Sequence, residues 1–265
     1  MNVISETKRA AEVPSGMAAE EWDIRCELAA CYQLADIYGF SDMAGTHISA
    51  RVPGPDDHFL LNPYGYFFDE ITASSLIKVD VEGNVISGKS DVLNYAGFII
   101  HSAIHMARPE LVCVMHSHGS AINGVGAQQH GLLPLTQKAL LLTHFLRYHE
   151  FEGAAFNPGE RERILGDLGD EGRVMVLRNH GALTAGRSVG EAFCWMYKLD
   201  LACQQQVNAL AGGSELHALP DEVIQRTIEQ GRKVQGPGGH SETGRIEWPG
   251  LIRKLERERG TGYRT

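Results

Sequence analysis

Histidines at the ends of two apolar runs place the strongest constraint on how this chain can fold. The first run leads into Met115-His116-Ser117-His118-Gly119, and the second leads into Arg178-Asn179-His180-Gly181. Side chains alternate along an extended strand, so His116 and His118 project from one face. With His180 from a neighbouring strand end, three neutral imidazoles surround one point and leave the other coordination positions of a divalent ion open. The spacing therefore predicts a catalytic metal site.

Composition is that of an ordinary globular chain. Of the 265 residues, 43% are hydrophobic and 22% are charged, which allows a substantial core without bias toward disorder. The formal net charge of -9 argues against a nucleic-acid partner, because binding to phosphates needs clustered basic side chains. The cysteines lack a CxxC pair, as expected of reduced core residues.

Membrane and export signals are also missing from the sequence. No apolar run reaches the ~18 residues that a membrane span requires. Residues 1–16 lack the apolar core of a signal peptide. We therefore expect a cytoplasmic protein that has neither a membrane nor a nucleic acid as its partner.

Local periodicity predicts a single domain at 17–265 behind a mobile tail at 1–16. Apolar residues at helical spacing predict helices at 18–38, 93–107, 120–127, 159–168, 189–211 and 221–233. Short apolar runs between turn signals predict strands at 47–52, 58–62, 77–79, 111–115 and 174–177. This order fits helices on the outside of one central sheet. The last segment, Ile246 to Thr265, is expected to dock at the surface or on a neighbouring subunit.

Four motifs together resemble the class II aldolase/adducin family. They are Asn62-Pro63-Tyr64-Gly65, Ala107-Arg108-Pro109-Glu110, His116-Ser117-His118 and Asn179-His180-Gly181. The resemblance runs from about Arg25 through Gln206, with scattered similarity beyond. It implies an α/β fold with αβα layers around a central, mostly antiparallel sheet, commonly assembled as a cyclic homotetramer. It also implies one divalent ion, zinc first and manganese, iron or cobalt as alternatives, bound by His116, His118 and His180.

One segment departs from the family pattern. Members that cleave sugar phosphates typically carry Ser-Ser-Glu here, whereas this chain has Tyr95, Ala96 and Gly97. Glycine has no carboxylate, so position 97 cannot perform the family's usual proton transfer. The missing serines also remove hydroxyl donors that a phosphate group needs. We therefore expect an unphosphorylated substrate. The sequence of this segment most resembles the adducin-like bacterial branch of the family.

Four residues are candidates for the missing acid/base. His101 lies four positions after Gly97 on the predicted helix, hence on the same face. His47 falls where the family has a loop lining the substrate pocket. Glu152 is a substitute carboxylate, and Tyr148 is a candidate because related enzymes place a tyrosine from an adjacent subunit near the reacting carbon. Each also has a structural interpretation, as a residue that hydrogen-bonds the backbone or packs at a subunit contact.

The resulting hypothesis is a metal-dependent lyase that acts on a small molecule. It cleaves a carbon–carbon bond of a hydroxy-keto or hydroxy-carboxylate substrate, by retro-aldol reaction or decarboxylation, through a metal-stabilised enolate. One alternative is an iron-dependent oxygenase that uses the same three histidines. The other is a non-catalytic adducin-like assembly module, which Gly97 favours and the complete histidine set disfavours.

Overall fold

A single sheet organises the chain. The computed structural model describes residues 13–54, 57–88, 93–153 and 159–265, with only the backbone at 95 and 96, so the predicted mobile tail lies largely outside the described residues. Within these ranges the strands are β1 His47–Arg51, β2 Phe59–Leu61, β3 Ile77–Val79, β4 Val85–Ser87, β5 Cys113–Ser117, β6 Leu146–His149, β7 Val174–Leu177 and β8 Gly181–Gly186. Their order is β4-β3-β2-β1-β5-β8-β7-β6, which puts the two histidine motifs on adjacent strands.

The sheet is mostly antiparallel, as predicted. Neighbouring strands run antiparallel except for the parallel pair of β6 and β7. The helices are α1 Ala19–Ile37, α2 Tyr95–Ala107, α3 Ser120–Gly126, α4 Gln137–Leu142, α5 Glu160–Leu168, α6 Val189–Ala211, α7 Asp221–Gln235 and α8 Glu247–Arg259. None of the helices in the described ranges is both long and apolar enough to cross a bilayer. The predicted α/β layered fold is confirmed.

Strand alternation places the apolar side chains of β5 in two different cores. Cys113 and Met115 of β5 belong to the larger core, together with residues of α1, α3, α4, α6 and α8. Val114, which lies between them, belongs to the smaller core with residues of α2 and α5, Ile104 among them. Because His116 follows Val114 by two positions, its side chain lies on the same face of the sheet and points toward α2.

Several elements differ from the prediction. Strands β4, β6 and β8 and helices α4 and α8 are additional to those predicted, and β5 is Cys113–Ser117 rather than 111–115. Strand β8, Gly181–Gly186, consists mainly of glycine and alanine, which have low strand propensity. It forms because β5 and β7 pair with it on both sides, and its small residues allow α6 to pack closely. Tertiary pairing therefore overrides local propensity here.

The C-terminal segment docks on its own chain. Helix α8 and the residues after it contact α1. The backbone N–H of Ala73 donates to the carbonyl of Tyr263 at 2.8 Å, and that of Ser74 donates to the carbonyl of Thr265 at 2.9 Å. The side chain of Tyr263 is buried. Contacts within one chain are therefore sufficient to place this segment.

Tyr32 of α1 fixes the strand that carries His47. The buried hydroxyl of Tyr32 accepts hydrogen bonds from the backbone N–H of Ile48 at 2.9 Å and of Asn62 at 3.2 Å. The pairing of β1 with β2 begins at Ala50, so these two N–H groups lie beyond it. Because buried backbone donors need a partner, the tyrosine oxygen replaces the missing strand contact.

Replacing Tyr32 with phenylalanine is expected to lower the free energy of unfolding by about 1–3 kcal/mol, because both N–H groups lose their acceptor in a dry interior. Urea denaturation of the wild type and Tyr32→Phe measures this loss. Tyr197→Phe is the matched control, since the side chain of Tyr197 is 40% exposed. Equal losses in the two variants would show that the Tyr32 hydroxyl has no special structural role.

Candidate metal centre

The pairing of three strands brings the histidine motifs together. Strand β1 pairs with β5 so that His47 lies directly opposite His116. Strand β5 pairs with β8, with Ser117 opposite Ala182. His180 lies in the tight turn that connects β7 to β8. The turn therefore delivers the third histidine to the end of β5, where the first two are found.

His116, His118 and His180 form one cluster, as the sequence predicts. The candidate ligand nitrogens all lie within 4.8 Å of one another. Ring centroids are separated by 4.7 Å for His116 and His118, 4.9 Å for His116 and His180, and 5.1 Å for His118 and His180. His116 is buried, whereas the other two are partly exposed. The cluster is therefore closed on the protein side and accessible on the other.

Hydrogen bonds behind two of the rings fix the direction of their lone pairs. Nδ1 of His116 lies 3.0 Å from the carbonyl oxygen of Ala182, which only accepts, so this nitrogen carries the hydrogen. Nδ1 of His118 lies 2.9 Å from Oδ2 of Asp42 and donates in the same way. In the neutral form of both rings, the two Nε2 atoms carry the lone pairs, and these atoms lie 2.9 Å apart. Convergent lone pairs with donating outer N–H groups suit a divalent cation.

Burial keeps two of the three histidines in the form that binds a metal. It lowers the pKa of His116 well below the usual range, and the neighbouring histidines, His47 first, lower it further. Burial also lowers the pKa of His180, with a contribution from His118. A neutral imidazole is the form that donates its lone pair to a cation. At pH 7, His116 and His180 are therefore neutral donors.

The turn between β7 and β8 depends on two backbone features. Asn179 has a φ of 57°, a left-handed conformation that asparagine tolerates better than most residues. A Cβ added to Gly181 would lie 2.5 Å from the carbonyl oxygen of Ser117 and 3.0 Å from Cδ2 of His118. Glycine at 181 therefore allows the start of β8 to approach the histidine motif of β5.

The imidazole of His47 occupies the space where a side chain at position 97 would lie. A Cβ built on Gly97 would be 1.5 Å from Nε2 of His47 and 1.8 Å from its Cδ2. The ring centroid of His47 is 5.2 Å from that of His116. Burial lowers the pKa of His47 to about 4, and nearby histidines contribute to the shift. A neutral imidazole therefore takes the place of the missing side chain.

Two further histidines, both on α2, continue this line of polar groups. The ring centroid of His101 is 4.4 Å from that of His47. Nδ1 of His101 lies 2.8 Å from Oγ of Ser49, and the same oxygen lies 2.8 Å from Nε2 of His105. Burial lowers the pKa of His101 well below its usual value. Polar side chains therefore extend from the cluster into the interior between β1 and α2.

Tyr148 faces the other side of the sheet. Strand β6 pairs with β7 so that Tyr148 lies beside Val176 and His149 beside Leu177. Val176 belongs to the larger core and Leu177 to the smaller, so Tyr148 points away from the face that carries the cluster. Its hydroxyl accepts a hydrogen bond from the N–H of Leu132 at 2.9 Å. One chain does not bring Tyr148 to the cluster, and its role from an adjacent subunit stays a prediction.

Glu152 lies close to His180 but is held by another partner. The two residues line one small cavity, together with His149 and Glu160. Arg163 forms an ion pair with the Glu152 carboxylate and lowers its pKa. The carboxylate is therefore ionised at pH 7, and its role as a substitute acid/base stays a prediction.

Asp42 and Ser49 also contact these histidines, and neither was predicted from the sequence. Ser49 follows His47 by two positions on β1, so period-two alternation was a signal that placed both on one face. Asp42 belongs to the loop before β1, where no periodicity applies. Its contact with His118 depends on the pairing of β1 with β5, which the sequence alone does not specify.

Comparisons with known proteins agree with these motifs. Residues 26–207 match the family described as Class II Aldolase and Adducin N-terminal domain. The fold is similar to an aldolase II superfamily protein from Pseudomonas syringae, with a TM-score of 0.86 and 45% identity, covering 94% of this chain and 98% of that one. It is also similar to L-fuculose 1-phosphate aldolase from Glaciozyma antarctica PI12, with a TM-score of 0.79 and 27% identity over 96% and 97% of the two chains.

The sequence is also similar to an adducin. It is 38% identical to alpha-adducin of Rattus norvegicus over 257 residues. The match covers 91% of this chain but only 34% of the adducin. Most of the length of the adducin therefore has no counterpart in the matched region.

Gly97→Ala is expected to destabilise the protein by about 1–3 kcal/mol, because the new methyl group overlaps the ring of His47. Without this overlap the same change would stabilise helix α2 by up to about 1 kcal/mol, since alanine is the better helix former. The sign of the effect in urea denaturation therefore tests the overlap.

Two further variants complete this test. Gly166→Ala in α5 is the matched control, because an added Cβ there meets nothing within 4 Å, and we expect it to stabilise the protein. In a His47→Ala background, Gly97→Ala should no longer destabilise, because the ring has been removed. Strictly additive effects of the two substitutions would contradict the overlap.

Proposed function

Because the chain belongs to the class II aldolase and adducin family, we propose that it is a divalent-metal-dependent lyase that cleaves a carbon–carbon bond of an unphosphorylated hydroxy-keto or hydroxy-carboxylate substrate. One observation carries the proposal. The Nε2 lone pairs of His116 and His118 converge beside His180. Three neutral nitrogen donors that leave other coordination positions open are typical of catalytic metal sites.

The proposed ion is zinc, held by His116, His118 and His180. Manganese, iron and cobalt accept the same nitrogen donors and are the alternatives. Such an ion supplies Lewis acidity, which stabilises the negative charge that develops on a substrate oxygen when the carbon–carbon bond breaks. Asp42 supports this arrangement, because its carboxylate accepts the Nδ1 hydrogen of His118 and so orients the ring.

His47 is the proposed acid/base. Its ring fills the position of the side chain at 97, where the resemblance places a glutamate. At pH 7 the ring is neutral, because burial lowers its pKa to about 4, so its lone pair is free to take a proton, and the protonated ring readily passes that proton on. His101 is the second candidate, since its ring lies directly beside that of His47.

Glu152 and Tyr148 have weaker support. The carboxylate of Glu152 shares a cavity with His180, but Arg163 pairs with it. Tyr148 needs a neighbouring copy to reach a cluster, and the N–H of Leu132 already binds its hydroxyl. We therefore propose them as acid/base residues only after His47 and His101.

We also propose that the protein acts as a homotetramer. Support comes from three exposed aromatic side chains on one loop, Tyr64, Tyr66 and Phe67. Neighbouring exposed aromatic groups commonly mark a contact surface between proteins. The proposed tetramer would cover this loop.

The unphosphorylated substrate separates this proposal from the similar L-fuculose 1-phosphate aldolase. That similarity supports cleavage of a carbon–carbon bond as the reaction type. Tyr95 and Ala96, however, stand where the resemblance places two serines that bind phosphate. Without those hydroxyls a phosphate group loses two hydrogen-bond donors. A substrate without phosphate therefore fits this chain better.

A second candidate function is an adducin-like assembly module without catalysis. The similarity to alpha-adducin over 91% of this chain favours it. The histidine cluster disfavours it, because a purely structural domain has no need for convergent lone pairs beside partly exposed rings. An iron-dependent oxygenase that uses the same cluster is the third candidate. Metal analysis distinguishes it from the lyase, because the oxygenase would contain iron.

The purified protein is expected to hold one divalent ion per chain, and His116→Ala and His118→Ala are expected to lose it. Asp42→Asn should weaken the affinity about 10–100-fold, because the carboxylate that orients His118 is lost. Elemental analysis by mass spectrometry measures the content. His130→Ala is the matched control, since His130 is exposed and outside the cluster.

Each outcome of this measurement selects one function. Zinc, manganese or cobalt supports the lyase, and iron calls for a test of oxygen consumption. A chain that binds no metal on reconstitution contradicts both enzymes and leaves the assembly module. Sedimentation of the same preparation tests the homotetramer, which a monomer mass would contradict.

His47→Ala is expected to keep the ion but to lower kcat by about 10²–10⁴-fold, the usual contribution of a general acid/base. The test substrate is 4-hydroxy-2-oxopentanoate, whose retro-aldol cleavage releases pyruvate and acetaldehyde, and L-fuculose 1-phosphate is the phosphorylated comparison. His240→Ala, at an exposed position, is the control. An unchanged kcat in His47→Ala with full metal content would exclude His47 and move His101→Ala to the front.

A further inference from the structure

A chain of buried hydrogen bonds lies behind His47 and has a fixed direction. It links Leu111, His105, Ser49 and His101, and the three side chains are at most 1% exposed. Nδ1 of His105 lies 3.0 Å from the carbonyl oxygen of Leu111. A carbonyl oxygen only accepts, so Nδ1 of His105 carries the hydrogen. Burial lowers the pKa of His105 to about 3, so the ring is neutral and its Nε2 carries a lone pair.

Ser49 continues the donor-to-acceptor direction of this hydrogen-bond chain. Oγ of Ser49 lies 2.8 Å from Nε2 of His105, which only accepts, so the hydroxyl donates its single hydrogen there. The same oxygen lies 2.8 Å from Nδ1 of His101 and must accept at that contact. Nδ1 of His101 therefore carries the hydrogen, and the lone pair of His101 is on Nε2.

The ring of His105 is itself held in place. It stacks on Phe59 of β2, with ring centroids 4.8 Å apart and planes inclined by 18°. Stacking and the Leu111 carbonyl together prevent the ring from flipping, which would exchange its donor and acceptor. The start of the chain is therefore anchored in the core.

Two nitrogen atoms lie at the open end of the chain. Nε2 of His101 and Nδ1 of His47 are both buried, and neither has a hydrogen-bond partner among the described residues. The two rings are neighbours, with centroids 4.4 Å apart. Leaving a buried polar atom unpaired costs about 1–3 kcal/mol, so a shift of the two rings that joins these nitrogens by a hydrogen bond is favoured. Because Nε2 of His101 has a lone pair, the donor must be His47.

We propose that Ser49 and His105 are positioning residues, which fix the tautomer of His101 so that its Nε2 accepts the Nδ1 hydrogen of His47. The lone pair of His47 is then confined to Nε2, the atom nearest to the missing side chain of residue 97. An imidazole that is free to exchange tautomers would present N–H instead of a lone pair in part of the molecules. The value of this arrangement for catalysis rests on the proposed function of His47.

The test measures tautomers and needs no substrate. The protein is labelled with ¹⁵N in its histidines and loaded with zinc, which is diamagnetic, and long-range ¹H–¹⁵N spectra identify the protonated nitrogen of each ring. His101→Gln and His47→Gln assign the signals. In the wild type we expect Nδ1–H forms of His47, His101 and His105. An Nε2–H form of His101 in the wild type would overturn the proposal.

Two serine variants test the role of the hydroxyl. In Ser49→Ala, His101 loses its acceptor, and we expect a mixture of Nδ1–H and Nε2–H forms at His101 and His47. Ser102→Ala is the matched control, because the hydroxyl of the similarly buried Ser102 bonds, among the described residues, to the helix carbonyl of Ile99 alone. Ser49→Thr keeps a hydroxyl and should keep the single tautomer. Unchanged tautomers in Ser49→Ala would overturn the proposal.

Turnover separates this proposal from the proposed function. With 4-hydroxy-2-oxopentanoate, Ser49→Ala should lower kcat several-fold at unchanged KM and metal content, and Ser49→Thr should restore it. If the wild type has no turnover while the tautomers are as expected, the lyase fails and the positioning of His47 stands. If turnover is present but Ser49→Ala matches the wild type in kcat, the positioning role is overturned and the lyase stands.

Discussion

The antiparallel pairing of β1 with β5 is the contact on which the rest of the site depends. Its register sets His47 opposite His116 and directs His47, Ser49 and His116 toward α2. A slip of one residue would turn every side chain of β1 to the other face of the sheet. The hydroxyl of Tyr32 prevents such a slip at the end of β1, because it binds the backbone of the residue next to His47.

Burial gives these histidines a definite chemical form. In water an imidazole exchanges its tautomers freely and is partly charged near pH 7. Here burial lowers the pKa of His47 to about 4 and that of His105 to about 3, which excludes the charged form at pH 7. Carbonyl and carboxylate acceptors then decide which nitrogen keeps its hydrogen. Protein contacts, rather than solvent, therefore direct the lone pairs toward the cluster.

Local rules were sufficient to predict the three-histidine cluster. Alternation places His116 and His118 on one side of a strand, and a turn after the next apolar run supplies His180. The same rules did not find β8, because its glycine and alanine residues become a strand only between β5 and β7. Helices α4 and α8 were missed as well, although the longer helices were predicted within a few residues.

Relations between distant strands and helices were beyond the reach of the sequence. Gly97 was interpreted as the loss of a functional group, and His47 as one of four candidates to replace it, without any indication that its ring lies at position 97. The structure shows that one explains the other, since only glycine leaves room for the ring of His47. The contact of Asp42 with His118 could not be predicted either, because a loop residue has no periodicity that indicates its partner. Prediction from sequence therefore succeeded for the clustering of the three histidines and failed for the groups that orient them.

The physical cost of this polar interior bears on the choice between an enzyme and an assembly module. Neutral polar groups between packed layers stabilise a fold less than apolar side chains of similar size, and unpaired ones destabilise it. His47, Ser49, His101 and His105 are all buried between β1 and α2. A domain that serves assembly alone gains nothing from them, because its contacts lie on the surface. Departures from good local packing are expected where chemistry requires them, and this one lies beside convergent lone pairs on partly exposed rings. The arrangement therefore favours catalysis, even though the family also includes adducin.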